Sequence, residues 1–164
     1  MTTMIGDVEV DDTALFLWLV REFRYVREAA EQNTGQRVEG IQRWGGGAKG
    51  QSWCSYWATM MLDVWFQGNA PIPRKGLCED VHQLAKKNGW ITDEPEPGDI
   101  VLSVNEANHA HHIAIVTGTD PLTAIAGNTS ADGVSSNGNG VYEHTITPRN
   151  KVFVKYPRAE PVLA

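Results

Sequence analysis

The chain has 164 residues, 41% of them apolar and 21% charged, which predicts a single soluble domain over residues 1–164 and excludes a disordered chain. Twenty acidic against fourteen basic residues give a net charge of −6. That argues against nucleic acid as a partner, because such binding needs a basic face to displace counterions, and it equally disfavours anionic membranes and heavily teichoylated walls.

Met1 to Asp12 carries four acidic residues and no Lys or Arg, and the apolar run Ala14 to Val20 is only seven residues long. A signal peptide needs a basic start and a membrane span needs about 20 apolar residues. The expectation is therefore synthesis in the cytoplasm, with no stable membrane association and with any outside action dependent on another agent. Asp12 or Thr13 is expected to cap a first helix reaching Gln32, since Phe16, Leu19, Val20, Phe23, Val26 and Ala30 recur at helical spacing. A shorter helix is predicted from Arg37 to Arg43. The glycine-rich loop Gly45 to Gly50 follows, without the Lys-Ser/Thr ending of a phosphate-binding loop. A further helix is predicted from Ser52, as N-cap, to Gln67, with Cys54, Trp57, Ala58, Met61, Leu62 and Trp65 forming one apolar stripe. Another is predicted from Leu77 to Asn88, stopped by Gly89. After Pro97-Gly98-Asp99 the period changes to short β-branched runs at Ile100–Val104, Ile113–Thr117, Thr123–Ala126, Val141–Ile146 and Val152–Tyr156. Helices first and strands afterwards predict an α+β domain, with N-terminal helices packed on an antiparallel sheet of about five strands.

Six tryptophans are many for this length, and four fall between Trp44 and Trp65, around Cys54. A thiol just inside a helix N-terminus faces unpaired N–H groups and the positive end of the dipole, which favour the thiolate. The same position also suits a small buried residue of the stripe. His112 opens the run His112-Ile113-Ala114-Ile115-Val116, and Asn128 ends the next run at Ala126-Gly127-Asn128. Neighbouring antiparallel strands would set Asn128 near His112, so that Cys54, His112 and Asn128 form a nucleophile, base and orienter.

Four segments carry a resemblance: Trp53-Cys54-Ser55-Tyr56-Trp57, Pro97-Gly98-Asp99-Ile100-Val101, His112-Ile113-Ala114-Ile115-Val116 and Gly127-Asn128-Thr129. In their order and spacing, over about Val26 to Tyr156, the chain resembles a CHAP domain, the cysteine, histidine-dependent amidohydrolases/peptidases. The resemblance implies a papain-like fold of the phage endolysin type, and a length of 164 residues leaves little room for a separate wall-binding domain. It implies hydrolysis of an amide in peptidoglycan, either the N-acetylmuramoyl-L-alanine bond or one within the peptide stem. Cys54 would attack the carbonyl, His112 would move the proton and Asn128 would orient His112. Many CHAP domains have an acidic residue two positions before the Asn, where this chain has Ala126, so the imidazolium would be held by the neutral amide alone. Asp99 is read as a turn residue before the first strand, although it or Glu143 could supply a charge. The stretch Arg37 to Ser52 has one acidic residue, Glu39, so the calcium loop of some CHAP domains is not expected, and no metal or cofactor is assigned.

Trp53, Tyr56, Gln51 and His111 are the expected substrate-binding residues, with the two aromatic rings toward the groove. His109 and His111 are expected at the cleft rim, His82 at the surface, and Cys78 as a free thiol. The resemblance implies peptidoglycan as the partner, and the expected chain is a monomer, a phage or prophage lysin released through a membrane lesion or carried in the particle. An injected bacterial effector would look the same. Two other classes stay open: a zinc hydrolase built on His109, His111 and His112, and a non-catalytic module that binds cell wall or a partner.

Overall fold

In the computed structural model residues 2–5, 8–135 and 137–158 are described. A short hairpin comes first, β1 (Thr2–Ile5) and β2 (Val8–Asp11), a pair with no counterpart in the sequence expectations. Helix α1 (Asp12–Glu22) follows, capped by Asp11, whose carboxylate accepts the Thr13 N–H at 3.2 Å. The remaining helices are α2 (Gln36–Trp44), α3 (Cys54–Trp65) and α4 (Cys78–Asn88). Gly89 closes α4 in the left-handed conformation at φ 68°, as its position predicts.

The first helix ends at Glu22 rather than Gln32. A single 3₁₀ turn, Phe23–Tyr25, leads to an extended Val26. Beyond it the backbone joins a strand edge: Val141 N–H donates to Val26 O at 3.1 Å and Glu28 N–H to Asn139 O at 2.8 Å. The Arg27 guanidinium donates to Val26 O and Val141 O. Helical spacing continued through this segment, but long-range pairing took its backbone groups instead.

The strands are β3 (Ile91–Thr92), β4 (Ile100–Val104), β5 (Ala110–Thr119), β6 (Leu122–Thr129), β7 (Gly140–Thr145) and β8 (Lys151–Val154). They form one antiparallel sheet in the order β3-β8-β4-β5-β6-β7. The fold is thus α+β with a six-stranded sheet. The additional strand, β3, is two residues long and too short to carry a period. Among the described residues no helix is long and apolar enough to cross a membrane.

Alternation on the central strands sorts two faces. Ile100, Leu102, Ile113, Ile115 and Ile125 meet Trp57, Met61 and Leu62 of α3 in the main core, while Val101, Ala114, Val116, Ala124 and Ala126 lie on the outer face. Helix α3 is buried on more than its expected stripe, because Ser55, Tyr56 and Thr59 are enclosed as well. At the turn before β4, the Asp99 carboxylate accepts from Glu96 N–H at 2.8 Å and pairs with Arg158 at 2.6 Å. Asp99 therefore closes a turn, and Glu143 is likewise taken, by two bonds from Arg21.

At Gly127 the sheet comes close to the start of α3. A Cβ there would stand 2.8 Å from Trp53 Cζ3 and 2.9 Å from Trp57 Cγ, and both rings are fully buried. Gly127→Ala is expected to cost about 1–3 kcal/mol through overpacking. Urea unfolding should show this as a lower midpoint at unchanged slope; an unshifted midpoint would mean the rings are not held against β6.

Candidate functional site

Two helix N-termini converge here. Cys54 is the first residue of α3 and Cys78 the first of α4, and their Sγ atoms lie 3.5 Å apart. Both are free and buried, at 3% and 7% exposure. The expected cap at Ser52 is not made: Trp53 is the N-cap of α3, with no side-chain capping bond. The Ser52 hydroxyl is committed elsewhere, 3.9 Å from Cys54 Sγ and accepting from Asn128 Nδ2 at 2.8 Å.

These neighbours hold the Cys54 thiol well below the ordinary thiol range. The S–H of Cys78, donating to Cys54, is the largest influence; burial opposes it, and the ring and charge of His112 and the Ser52 hydroxyl add to it. The hydrogen bond to Cys54, burial and the charge on Cys54 push Cys78 the other way. One negative charge is thus assigned to one of two touching sulfurs, with the proton kept on Cys78.

Helix α4 is fastened to the sheet by Glu79. Its carboxylate accepts the Ala110 N–H at 2.6 Å, takes a bond from Gln83, and lies 3.3 Å from His82 Nδ1. Desolvation works against the charged form, but the Ala110 N–H and then Gln83 and His82 outweigh it, bringing Glu79 down to about 2. His82 is buried, not on the surface, because Cys78, Val81, His82 and Ala85 form the inward stripe of α4.

His112 lies at the start of β5, buried at 8% exposure, just beyond a register shift at Ser103/Val104. Asn128 ends β6 in the left-handed conformation, φ 54°, where the pairing with β7 shifts register. Asn128, bonded to Ser52 beside Cys54, and His112, whose ring bears on the Cys54 thiol, thus both come to the neighbourhood of Cys54. No hydrogen bond joins them; Asn128 Oδ1 and His112 Nδ1 are both buried without a partner. The chain therefore brings the three expected catalytic residues into one region, with the orienting bond unformed.

No family model, curated protein or solved structure matches the chain.

The expected substrate residues divide. Trp53 is fully buried, its indole N–H donating to Glu28 at 2.7 Å, and Tyr56 is 9% exposed, its hydroxyl donating to Gln51 Oε1 at 3.0 Å. Both rings are core, not groove wall: Gly127 admits Trp53, and Gly45, Gly47 and Gly76 leave room for the Tyr56 ring. Gln51 is exposed, but its side chain is occupied by Tyr56 and the Ala48 N–H. His109 and His111 are exposed at the start of β5. Among the described residues no three His, Cys, Asp or Glu are placed to share a metal ion, so His109, His111 and His112 do not form the zinc set. Sequence reading missed the contact of Cys78 with Cys54 and the Glu79 tie. The only signal for them was the start of an amphipathic helix at Cys78-Glu79.

Because the lowered Cys54 keeps its thiolate as pH falls, alkylation by iodoacetamide should stay fast below the pH where an ordinary thiol, at about 8.5, goes silent. In Cys78→Ala the S–H donor is gone and the midpoint of the rate profile should move up. An unmoved midpoint would show that Cys78 does not hold the Cys54 charge.

Proposed function

We propose that this chain is a cysteine amidase of the papain-like, CHAP type that hydrolyses an amide bond in peptidoglycan. The observation that carries the reading is Cys54 at the N-terminus of α3, acidified beside His112. The order of helices before a wholly antiparallel sheet and the four motifs read from the sequence support it.

In this reading the Cys54 thiolate attacks the amide carbonyl carbon. The carbonyl oxygen becomes an oxyanion, and the backbone N–H of Cys54, at the open end of α3, is aimed where that charge develops. His112 gives its proton to the leaving amine nitrogen as the C–N bond breaks, which leaves a thioester on Cys54. The now neutral imidazole takes a proton from water, the hydroxide adds to the thioester carbon, and the acid product leaves as the thiolate returns. To fix the ring, Asn128 Oδ1 would accept His112 Nδ1–H, the bond that is unformed in this structure. Both atoms are buried and unpartnered, and leaving them so costs about 1–3 kcal/mol apiece, so their pairing relieves two penalties at once. A neutral amide orients the ring with less charge stabilisation than a carboxylate would give.

The scissile bond is either the muramoyl–L-alanine amide or one within the stem peptide. A lysin released through a membrane lesion and an injected effector share this chemistry. The zinc alternative draws no support from the placement of the histidines.

The test is turbidity loss of purified sacculi. Cys54→Ala and His112→Ala should lose nearly all activity. Asn128→Ala should lose less than either, as removal of an orienter does, and chelator should change nothing. Full activity in Cys54→Ala would overturn the proposal.

A further inference from the structure

The outer face of the sheet, turned away from α3, holds a cavity of about 470 Å³. Ala114, Ala124 and Ala126 make its floor, and His111, Arg149 and Lys151 stand on its wall. No Asp or Glu lines it among the described residues, in a chain with twenty acidic against fourteen basic residues. Neither Arg149 nor Lys151 is among the described ion pairs. Lys151 is half-buried, and desolvation lowers it. The loop over the cavity is pinned, with His144 Nε2 2.8 Å from Ser130 O and Thr129 Oγ1 donating to Ser135 O at 2.9 Å. His112 also lines the cavity, so whatever fills it sits against the base of the proposed reaction.

We propose that this cavity is a subsite for a carboxylate of the peptide substrate, held by Arg149 and Lys151 and placed beside His112. The assignment rests on the amidase reading and adds the part of the substrate that the site holds. A carboxylate would give two unpaired cations charge-assisted hydrogen bonds, and the small side chains of the floor leave space for the peptide behind it. Its test is calorimetric binding of the tripeptide L-Ala-γ-D-Glu-L-Lys, as free acid and as full amide, to the Cys54→Ala chain. The acid should bind and the amide about tenfold or more weaker, as loss of a charge-assisted bond implies. Adding Arg149→Met and Lys151→Met together should erase the difference. Equal binding of acid and amide, or a difference that survives the double substitution, would overturn the subsite. Sacculus hydrolysis tests the amidase reading separately: activity surviving Cys54→Ala sinks that reading, whatever the calorimetry gives.

The paired sulfurs carry a second inference independently. We infer that Cys54 and Cys78 are a site of reversible oxidation to a disulfide by small disulfides such as oxidised glutathione. At 3.5 Å the two sulfurs are in contact, and bonding requires them to close to about 2.05 Å. The Cys54 thiolate attacks one glutathione sulfur and expels the other as thiolate. Cys78 then attacks Cys54 Sγ and expels the second, its proton passing to the leaving thiolate. Counted from the thiolate–thiol pair, the protein gives up one proton and two electrons; the first glutathione thiolate takes its proton from solvent, and one glutathione disulfide becomes two thiols. Intact mass spectrometry of the full chain with oxidised glutathione should show a loss of two hydrogens, reversed by dithiothreitol. Cys78→Ser should instead stop at a single glutathione adduct on Cys54. A wild-type chain that stays reduced, or that halts at the adduct, would overturn the inference without touching the amidase reading.

Discussion

The arrangement of the site depends on two helix N-termini brought to the same point with a sulfur at each, 3.5 Å apart. A negative charge at one helix N-terminus is stabilised by about 0.3–1 kcal/mol at an exposed position and more where partly buried. Two such ends aimed at one anion reinforce each other, but two anions in contact would repel. The pair resolves this by carrying one charge and one proton, with Cys78 as donor and Cys54 as acceptor. The geometry survives because α4 cannot drift: Glu79 takes the backbone N–H of Ala110, which lies two positions before His112. Hydrogen bonds to charged groups contribute about 1.5–3 kcal/mol each, so this one carboxylate ties Cys78, β5 and His112 into a unit.

The other half of the site is positioned by packing. Gly127 lets β6 settle against the rings of Trp53 and Trp57, and the next residue, Asn128, turns into the left-handed conformation. Asn128 donates to Ser52 from there, and Ser52 lies beside Cys54. The tryptophans near Cys54 are thus the mould against which the strand end is set, a role served by full burial.

Much of this was legible where local rules and the tertiary structure agree. Gly89 stops α4, the turn at Asp99 opens β4, and the change of period separates helices from strands. The misreadings came where long-range contacts compete with a local pattern. Residues after Glu22 have helical spacing, yet their backbone groups bond to β7. Ser52 has the composition of a cap, but Asn128 claims its hydroxyl. Trp53 and Tyr56 could be groove walls or core at their positions; only the glycines opposite them, distant in sequence, decide for core. The Cys54–Cys78 contact joins two helix starts across an intervening loop, and no periodicity encodes which helix ends meet.

Net charge is the coarsest of the sequence arguments, and here its reach can be stated physically. At physiological ionic strength charges are screened over about 8 Å, so a bound group responds to the side chains around it rather than to the total of −6. Four of the carboxylates are paired elsewhere: Glu143 with Arg21, Asp99 with Arg158, Glu96 with Lys155 and Glu79 at the α4–β5 junction. Arg149 and Lys151 are left facing a cavity without a counter-charge among the described residues. An acidic net charge is therefore compatible with a local cradle for a single carboxylate. In the proposed subsite the local pair would decide binding, because it meets the carboxylate within the screening distance that the distant acidic groups do not reach.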